Sequence, residues 1–253
     1  LVIALKAYGP MLDPGVTREL VTASGNQIDW PTMDDTSNKG ALLGENTQDS
    51  EQDVAFGQKQ LDAYKYTSKI IRVSEELLQD NAINVEGVVR DAMAERLGRI
   101  VNEHLTTGSG TGQPNGIVSA STNGTTATSN SAITFDEVID LVHAVDPAYR
   151  NDPSVAFMFN DSTLQALRKL KDGNNNYIWQ PADVRSGAPS NILGYSFVVN
   201  QDMASIGSSA VSVLFGAMNR YIVRRVREFA VKRLVERYAD FHQVGFIGFG
   251  RFD

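Results

Sequence analysis

Val85, Val88, Val89, Ala92, Met93, Leu97, Ile100, Val101 and Leu105 recur at spacings of three and four. That spacing marks one face of an α-helix, predicted over 84–107 and running into a glycine-rich loop over 108–116. Such a helix spans roughly 30 Å at about 1.5 Å per residue. Asn84 is placed to cap its first turn, accepting a backbone N–H that has no intrahelical partner. Gly108 is expected to let the chain leave through a positive-φ conformation. Gly87 and Gly98 lie inside the helix, each at a cost of up to about 1 kcal/mol relative to Ala. Two readings of these glycines stand: close approach of another backbone, or a locally bent helix.

The pattern elsewhere is mixed. Residues 1–26 hold Pro10, Pro14 and three glycines and read as an extended arm with little core of its own. A short strand is predicted around Ile28 and Trp30. Residues 32–53 are polar, acidic and rich in turn formers. Residues 54–73 turn strand-like, with Phe56, Leu61, Tyr64, Tyr66 and Ile70 set among polar positions. Two strands around a polar tip make a long hairpin. A lone hairpin is marginal in water, so this one is expected to rest on something else, such as another copy of the chain. A short helix over 74–81 starts at Ser74, ahead of the long helix.

After the glycine loop, 119–131 (SASTNGTTATSNS) is a linker and a candidate domain boundary. Thr134 and Glu137 form a capping box, and Phe135, Val138, Ile139, Val142 and Val145 give that helix its apolar face before Pro147 ends it. A buried strand is predicted over 155–159. A helix over 161–171 carries Leu164, Leu167 and Leu170 on one side and ends at Asp172-Gly173. A loop over 174–191 holds Trp179, and strands follow over 192–199 and 211–215. Period-two strands are predicted over 221–226, 229–237 and 244–252, with a corner at 238–242. They would pack on the long helix, bringing the end of the chain back to its middle. The fold class is α+β.

A chain of 253 residues is one large domain or two small ones. It has no cysteine, which excludes disulfides, thiolate chemistry and cysteine-ligated metals. No apolar run approaches membrane-spanning length, and no membrane partner is expected. The opening LVIALKAYGP makes a poor signal peptide, and a processed or trimmed N-terminus is the expectation.

The net charge of −7 is unevenly spread. Eight acids (Asp29, Asp34, Asp35, Glu45, Asp49, Glu51, Asp53, Asp62) face two bases (Lys39, Lys59) over 29–62. Seven bases (Arg220, Arg224, Arg225, Arg227, Lys232, Arg233, Arg237) face two acids (Glu228, Glu236) over 220–237. Segregated charge suits docking of copies onto each other or onto a charged partner; two solvated faces are the plainer reading.

Signals for catalysis are sparse. The glycines at 108, 110, 112 and 116 match neither dinucleotide nor P-loop spacing, and the loop trails a helix where a phosphate site would lead into one. No G-x-S-x-G occurs. His104, His143 and His242 are isolated and read as structural or surface residues. Asp172-Gly173-Asn174-Asn175-Asn176 hints at a calcium loop but lacks the later acid, so a turn is expected. The arginine-rich strand suits nucleic acid and subunit pairing alike.

Several stretches resemble the major capsid proteins of tailed phages, with the Hong Kong 97-like fold. They are VSEELL at 73–78, GSGTGQPNG at 108–116, LKDG at 170–173 with YIWQP at 177–181, ILG at 192–194, LFG at 214–216 with Tyr221, and ERYAD at 236–240 with RFD at 251–253. They stand in the family's order and cover about 56 to 253. The resemblance implies an N-terminal arm over 1–26, an extended E-loop hairpin over 27–73, a peripheral domain with its spine helix over 74–131, an axial domain over 132–213, and returning peripheral strands over 214–253.

The function it implies is a major capsid protein, assembling as pentamers and hexamers into an icosahedral shell around double-stranded DNA. No enzyme activity and no cofactor are implied. The implied partners are copies of itself, a portal, a maturation protease, a scaffolding segment and the packaged DNA, within a virion assembled in the host cytoplasm. Some members cross-link through a lysine near the E-loop tip; here 44–53 has none, so a non-covalent shell is expected. Asp49, Glu51 and Asp53 of one copy are expected to meet Arg224, Arg225 and Arg227 of a neighbour. Three alternatives stand beside this reading: an encapsulin-type compartment of the same fold, a hydrolase with a site near 161–183, and a nucleic-acid-binding module using the basic run over 220–237.

Overall fold

The structure is a computed structural model that describes residues 9–80, 84–179, 191–227 and 229–253. Along the chain run β1 (Arg18–Thr22), β2 (Ile28–Asp34), β3 (Ala55–Leu61), β4 (Tyr64–Ser74), α1 (Glu75–Asp80), α2 (Val85–Thr107), α3 (Ile117–Ala120), α4 (Phe135–Ala144) and α5 (Pro147–Arg150). Then come β5 (Val155–Phe159), α6 (Asp161–Arg168), β6 (Asn191–Ile192), β7 (Tyr195–Val199), β8 (Val213–Ala217), β9 (Ile222–Val226), β10 (Ala230–Leu234) and β11 (Gln243–Phe252). A 3-10 segment, Glu236–Phe241, turns the corner between β10 and β11.

Three sheets result. In the first, β11 pairs antiparallel with β4 along one edge and with β10 along the other, and β9 joins at Phe252↔Arg225. β1 then adds in parallel to β9. The second is the isolated antiparallel ladder β2–β3. The third has the order β6-β7-β5-β8.

The long helix crosses the first sheet and reaches the third. Its N-terminal half buries Val89 and Met93 with Val73, Val244 and Phe246. Its C-terminal half buries Leu97, Val101 and Leu105 with Tyr66, Phe252, Met158 and Leu214. A separate cluster lies between the third sheet and α4 and α6, around Val138, Val142, Phe157, Phe159, Leu164 and Leu167. β5 is buried at every position, as a central strand covered on both faces must be.

Local signals in the sequence hold. Asn84 Oδ1 accepts from Gly87 N at 3.0 Å. The Thr134–Glu137 capping box forms in both directions. Asp172 accepts from the backbone N–H of Asn174 and Asn176 at 2.9 and 2.8 Å, closing a turn.

Four expectations change. Residues 9–26 are no detached arm: Met11 is fully buried against α2 and β1 is a sheet strand. The hairpin ends at Leu61, because the strand is interrupted at Asp62 and Ala63 and β4 joins the first sheet. The third sheet runs to Ala217, four residues beyond the expected boundary. Gly108 has φ −56°. It is needed for space, since a Cβ there would lie 2.3 Å from the carbonyl oxygens of His104 and Pro114. The expected loop over 174–191 is described only to Trp179, and Glu228 also lies outside the described residues.

Candidate assembly interface

Among the described residues, the hairpin strands β2 and β3 form a sheet of their own, paired with no other strand. Its strands pair from Ile28↔Leu61 to Asp34↔Ala55. One face carries Met33 directly opposite Phe56, and these side chains are 62% and 78% exposed. At the tip, Leu42 is fully exposed and Leu43 half-exposed. Apolar side chains of this size gain about 1.5–3 kcal/mol each on burial, and nothing among the described residues covers them. The tip is instead held by polar bonds. Thr36 donates to Asp34 Oδ1 from Oγ1 and from N at 2.7 and 3.1 Å, which keeps the Asp34 carboxyl below its ordinary value. Gln52 donates to Asn38 Oδ1 at 2.6 Å, tying the two sides of the loop. Among the described residues, Asp49, Glu51 and Asp53 form no ion pair and stand exposed.

The basic strand β9 lies at the other end of this hairpin, at its neck. Arg224 is fully buried. Its Nη1 donates to the carbonyls of Leu61 and Asp62 at 2.8 and 2.9 Å. Its Nη2 donates to those of Ser24 and Asn26 at 2.9 and 2.7 Å, and Nε donates to Thr22 Oγ1 at 3.2 Å. A guanidinium has five N–H donors, and all five are used. A buried charge is tolerable only when saturated in this way. Arg224 therefore has nothing left to offer a neighbour's acids, which corrects the expectation from its place in a basic run.

Its two companions differ. Arg225 forms a 2.5 Å ion pair with Glu19 on β1. Arg227 is exposed, and its Nε donates to Ala23 O at 3.1 Å. Asp253 adds a further tie to the neck. Its carboxylate accepts from Asp62 N at 2.5 Å, and its backbone bonds both ways with that of Arg224. Burial raises the Asp253 carboxyl above its ordinary value, with Asp62 N and Arg224 pulling the other way. The acids and arginines named from sequence are thus not brought together within one chain.

Sequence reasoning missed a second polar centre. Asn102 and Thr106 sit on the buried face of α2. Asn102 Oδ1 accepts from Met11 N at 3.0 Å, and its Nδ2 donates to Asn200 and to Asp202. Asn200 Nδ2 donates to Thr106 Oγ1 at 2.8 Å. This knot joins the N-terminal segment, the long helix and the third sheet. An Asn on the apolar face of a helix was the available signal.

At the start of the region put forward for a hydrolase the polar side chains make structural bonds, and its last residues, 180–183, lie outside the described residues. Asn160 caps α6, accepting from Ser162 N, and Ser162 Oγ bonds Ser205 Oγ at 2.8 Å. The hollow beside them, about 560 Å³, is lined by Asp161, Gln165, Arg168 and Lys169 among others.

The model of the phage capsid family matches residues 1–253. The chain belongs to that family. Its role is accordingly structural, and its place is the capsid. No curated protein matches the chain. Among solved structures it is similar to the capsid of a native GTA particle, computed with C5 symmetry. That pair has a TM-score of 0.86 at 19% identity, over 100% of this chain and 87% of that one. It is also similar to chains of Microbacterium phage Oxtober96 (TM-score 0.74, 17% identity, 100% and 86% covered) and Mycobacterium phage Bobi (0.73, 14%, 100% and 85%). At these identities the likeness is one of fold. As a capsid protein, the chain works as one of many copies in a shell.

Proposed function

We propose that this capsid protein assembles as pentamers and hexamers into an icosahedral shell enclosing double-stranded DNA, in a phage or a phage-derived gene transfer agent. The observation that carries the reading is the hairpin. It is a two-stranded ladder with Met33, Leu42, Leu43 and Phe56 exposed on it, and such a ladder needs support from outside the chain. A neighbouring copy supplies that support. Apolar contacts from the hairpin add area, and Asp49, Glu51 and Asp53 add charge attraction toward Arg225 and Arg227 of the next subunit. Each interface is weak alone, and a closed shell multiplies it. A portal, a maturation protease and a scaffolding segment complete the proposed assembly. With no lysine over 44–53, the shell is held without covalent links, and subunits should separate in hot reducing detergent.

Negative-stain electron microscopy of the purified protein tests the reading. Closed polyhedral shells, or rings of five and six, are expected. A clean monomer across protein and salt concentrations would overturn it.

A further inference from the structure

We infer that Arg224 is a positioning residue for assembly: its buried guanidinium fixes the angle at which the hairpin leaves the subunit. This deepens the proposed shell function and rests on it.

The argument begins with what the five bonds grip. Ser24 and Asn26 lie on the incoming side of the hairpin, just before β2. Leu61 and Asp62 lie on the outgoing side, at the end of β3. The planar guanidinium therefore bridges both legs of the neck and ties them to β9, a strand of the main sheet. The grip is reinforced around it. Asp253 accepts from Asp62 N at 2.5 Å, and Arg227 N and Nε donate to Thr22 O and Ala23 O, each at 3.1 Å.

Leverage makes this grip matter. A seven-residue strand is about 23 Å long at roughly 3.3 Å per residue, so a tilt of about 10° at the neck moves its far end by about 4 Å. That equals a whole side-chain contact distance of about 4 Å, enough to carry Met33 and Phe56 off a neighbour's surface. Packing along β3 does not set this angle, since every residue from Ala55 to Gln60 is exposed, and on β2 only Ile28, Trp30 and Thr32 are half-buried. A lysine in place of Arg224 keeps the charge but reaches fewer acceptors at once, because it lacks the flat fork.

The test uses the absence of cysteine in the chain. Gln48→Cys at the tip and Asp91→Cys on α2 carry two spin labels, and the distance distribution is measured in the unassembled subunit. In Arg224→Lys the distribution should at least double in width and shell yield should fall about tenfold. Amide protection along β4 and β11 should stay unchanged. Arg225→Lys, on the same strand but off the neck, should leave the width alone. If Arg224→Lys does not fold, Thr22→Val decides. It removes the Nε acceptor and the Thr22 bond to Ser24 O, and it should also broaden the distribution. A distribution as narrow as the parent's in the folded variant overturns the inference. Failure of the shell reading is separate, since the parent itself would then form no shells.

Discussion

Asn102 Nδ2 donates to Asn200 Oδ1 across 3.0 Å, where the long helix meets the third sheet and neither side chain reaches solvent. Beside that bond, Asn102 Oδ1 accepts from Met11 N and Asn200 Nδ2 donates to Thr106 Oγ1. Removing Asn200 takes away the acceptor of one Asn102 Nδ2 N–H and of Asp202 N, at about 1–3 kcal/mol for each donor left unpaired. Asn200→Ala should therefore destabilise the subunit by about 2–4 kcal/mol, read from the urea midpoint at unchanged slope. A loss below about 1 kcal/mol would show that the knot contributes little.

The exposed pair Met33 and Phe56 should behave oppositely. Phe56→Asp removes apolar surface that its own chain does not cover. Subunit stability should stay within about 0.5 kcal/mol of the parent, while assembly, followed by light scattering, is lost. Shells forming at the parental rate would remove the hairpin face from the interface.

Charge reversal at the tip addresses the electrostatic half of the contact. Asp49→Lys, Glu51→Lys and Asp53→Lys together should block assembly at low salt, and the parent's assembly should weaken as salt screens the attraction. Normal shells from the triple variant would sink the pairing with Arg225 and Arg227.

Glu137 gives a pH-dependent contact. Its carboxylate accepts from Thr128 Oγ1 and N and from Thr134 N, at 2.5, 2.7 and 2.8 Å. These bonds, the Thr128 hydroxyl first, bring it down to about 2. A depressed carboxyl stabilises the fold above its unfolded value, and that contribution is lost as pH falls through the folded one. The protection factors of the Thr128 and Thr134 amides, taken against their intrinsic exchange rates at each pH, should therefore hold at pH 5 and fall toward pH 2. Glu137→Gln should abolish that dependence.

Two glycines of the central stretch should part ways. A Cβ at Gly98 meets nothing within 4 Å, so Gly98→Ala should stabilise the isolated subunit by up to about 1 kcal/mol. If a neighbour's backbone approaches there in the shell, the same variant will assemble poorly. At Gly116 a Cβ would lie 2.4 Å from Gly108 N and 2.6 Å from Thr106 O. Those are backbone atoms that cannot step aside, and Gly116→Ala should lower Tm in a thermal scan.

Much of this was legible in the chain because it is local. The helix of 85–107, its Asn84 cap, the Thr134 capping box and the Asp172 turn each depend on residues within a few positions of one another. The hairpin was legible too, from two apolar stretches around a polar tip. Its true end at Leu61 was not, because β4 is recruited by β11, about 180 residues further along.

Arg224 shows the boundary most clearly. Sequence determined that it is a cation on a strand, in a basic run beside an acidic loop. Charge alone suggested a partner on another copy. The tertiary structure decided otherwise by bringing the carbonyls of Ser24, Asn26, Leu61 and Asp62, some 160–200 residues away, around one guanidinium. Backbone carbonyls are the same in every residue and leave no mark in a sequence, so only the fold could show which of them converge.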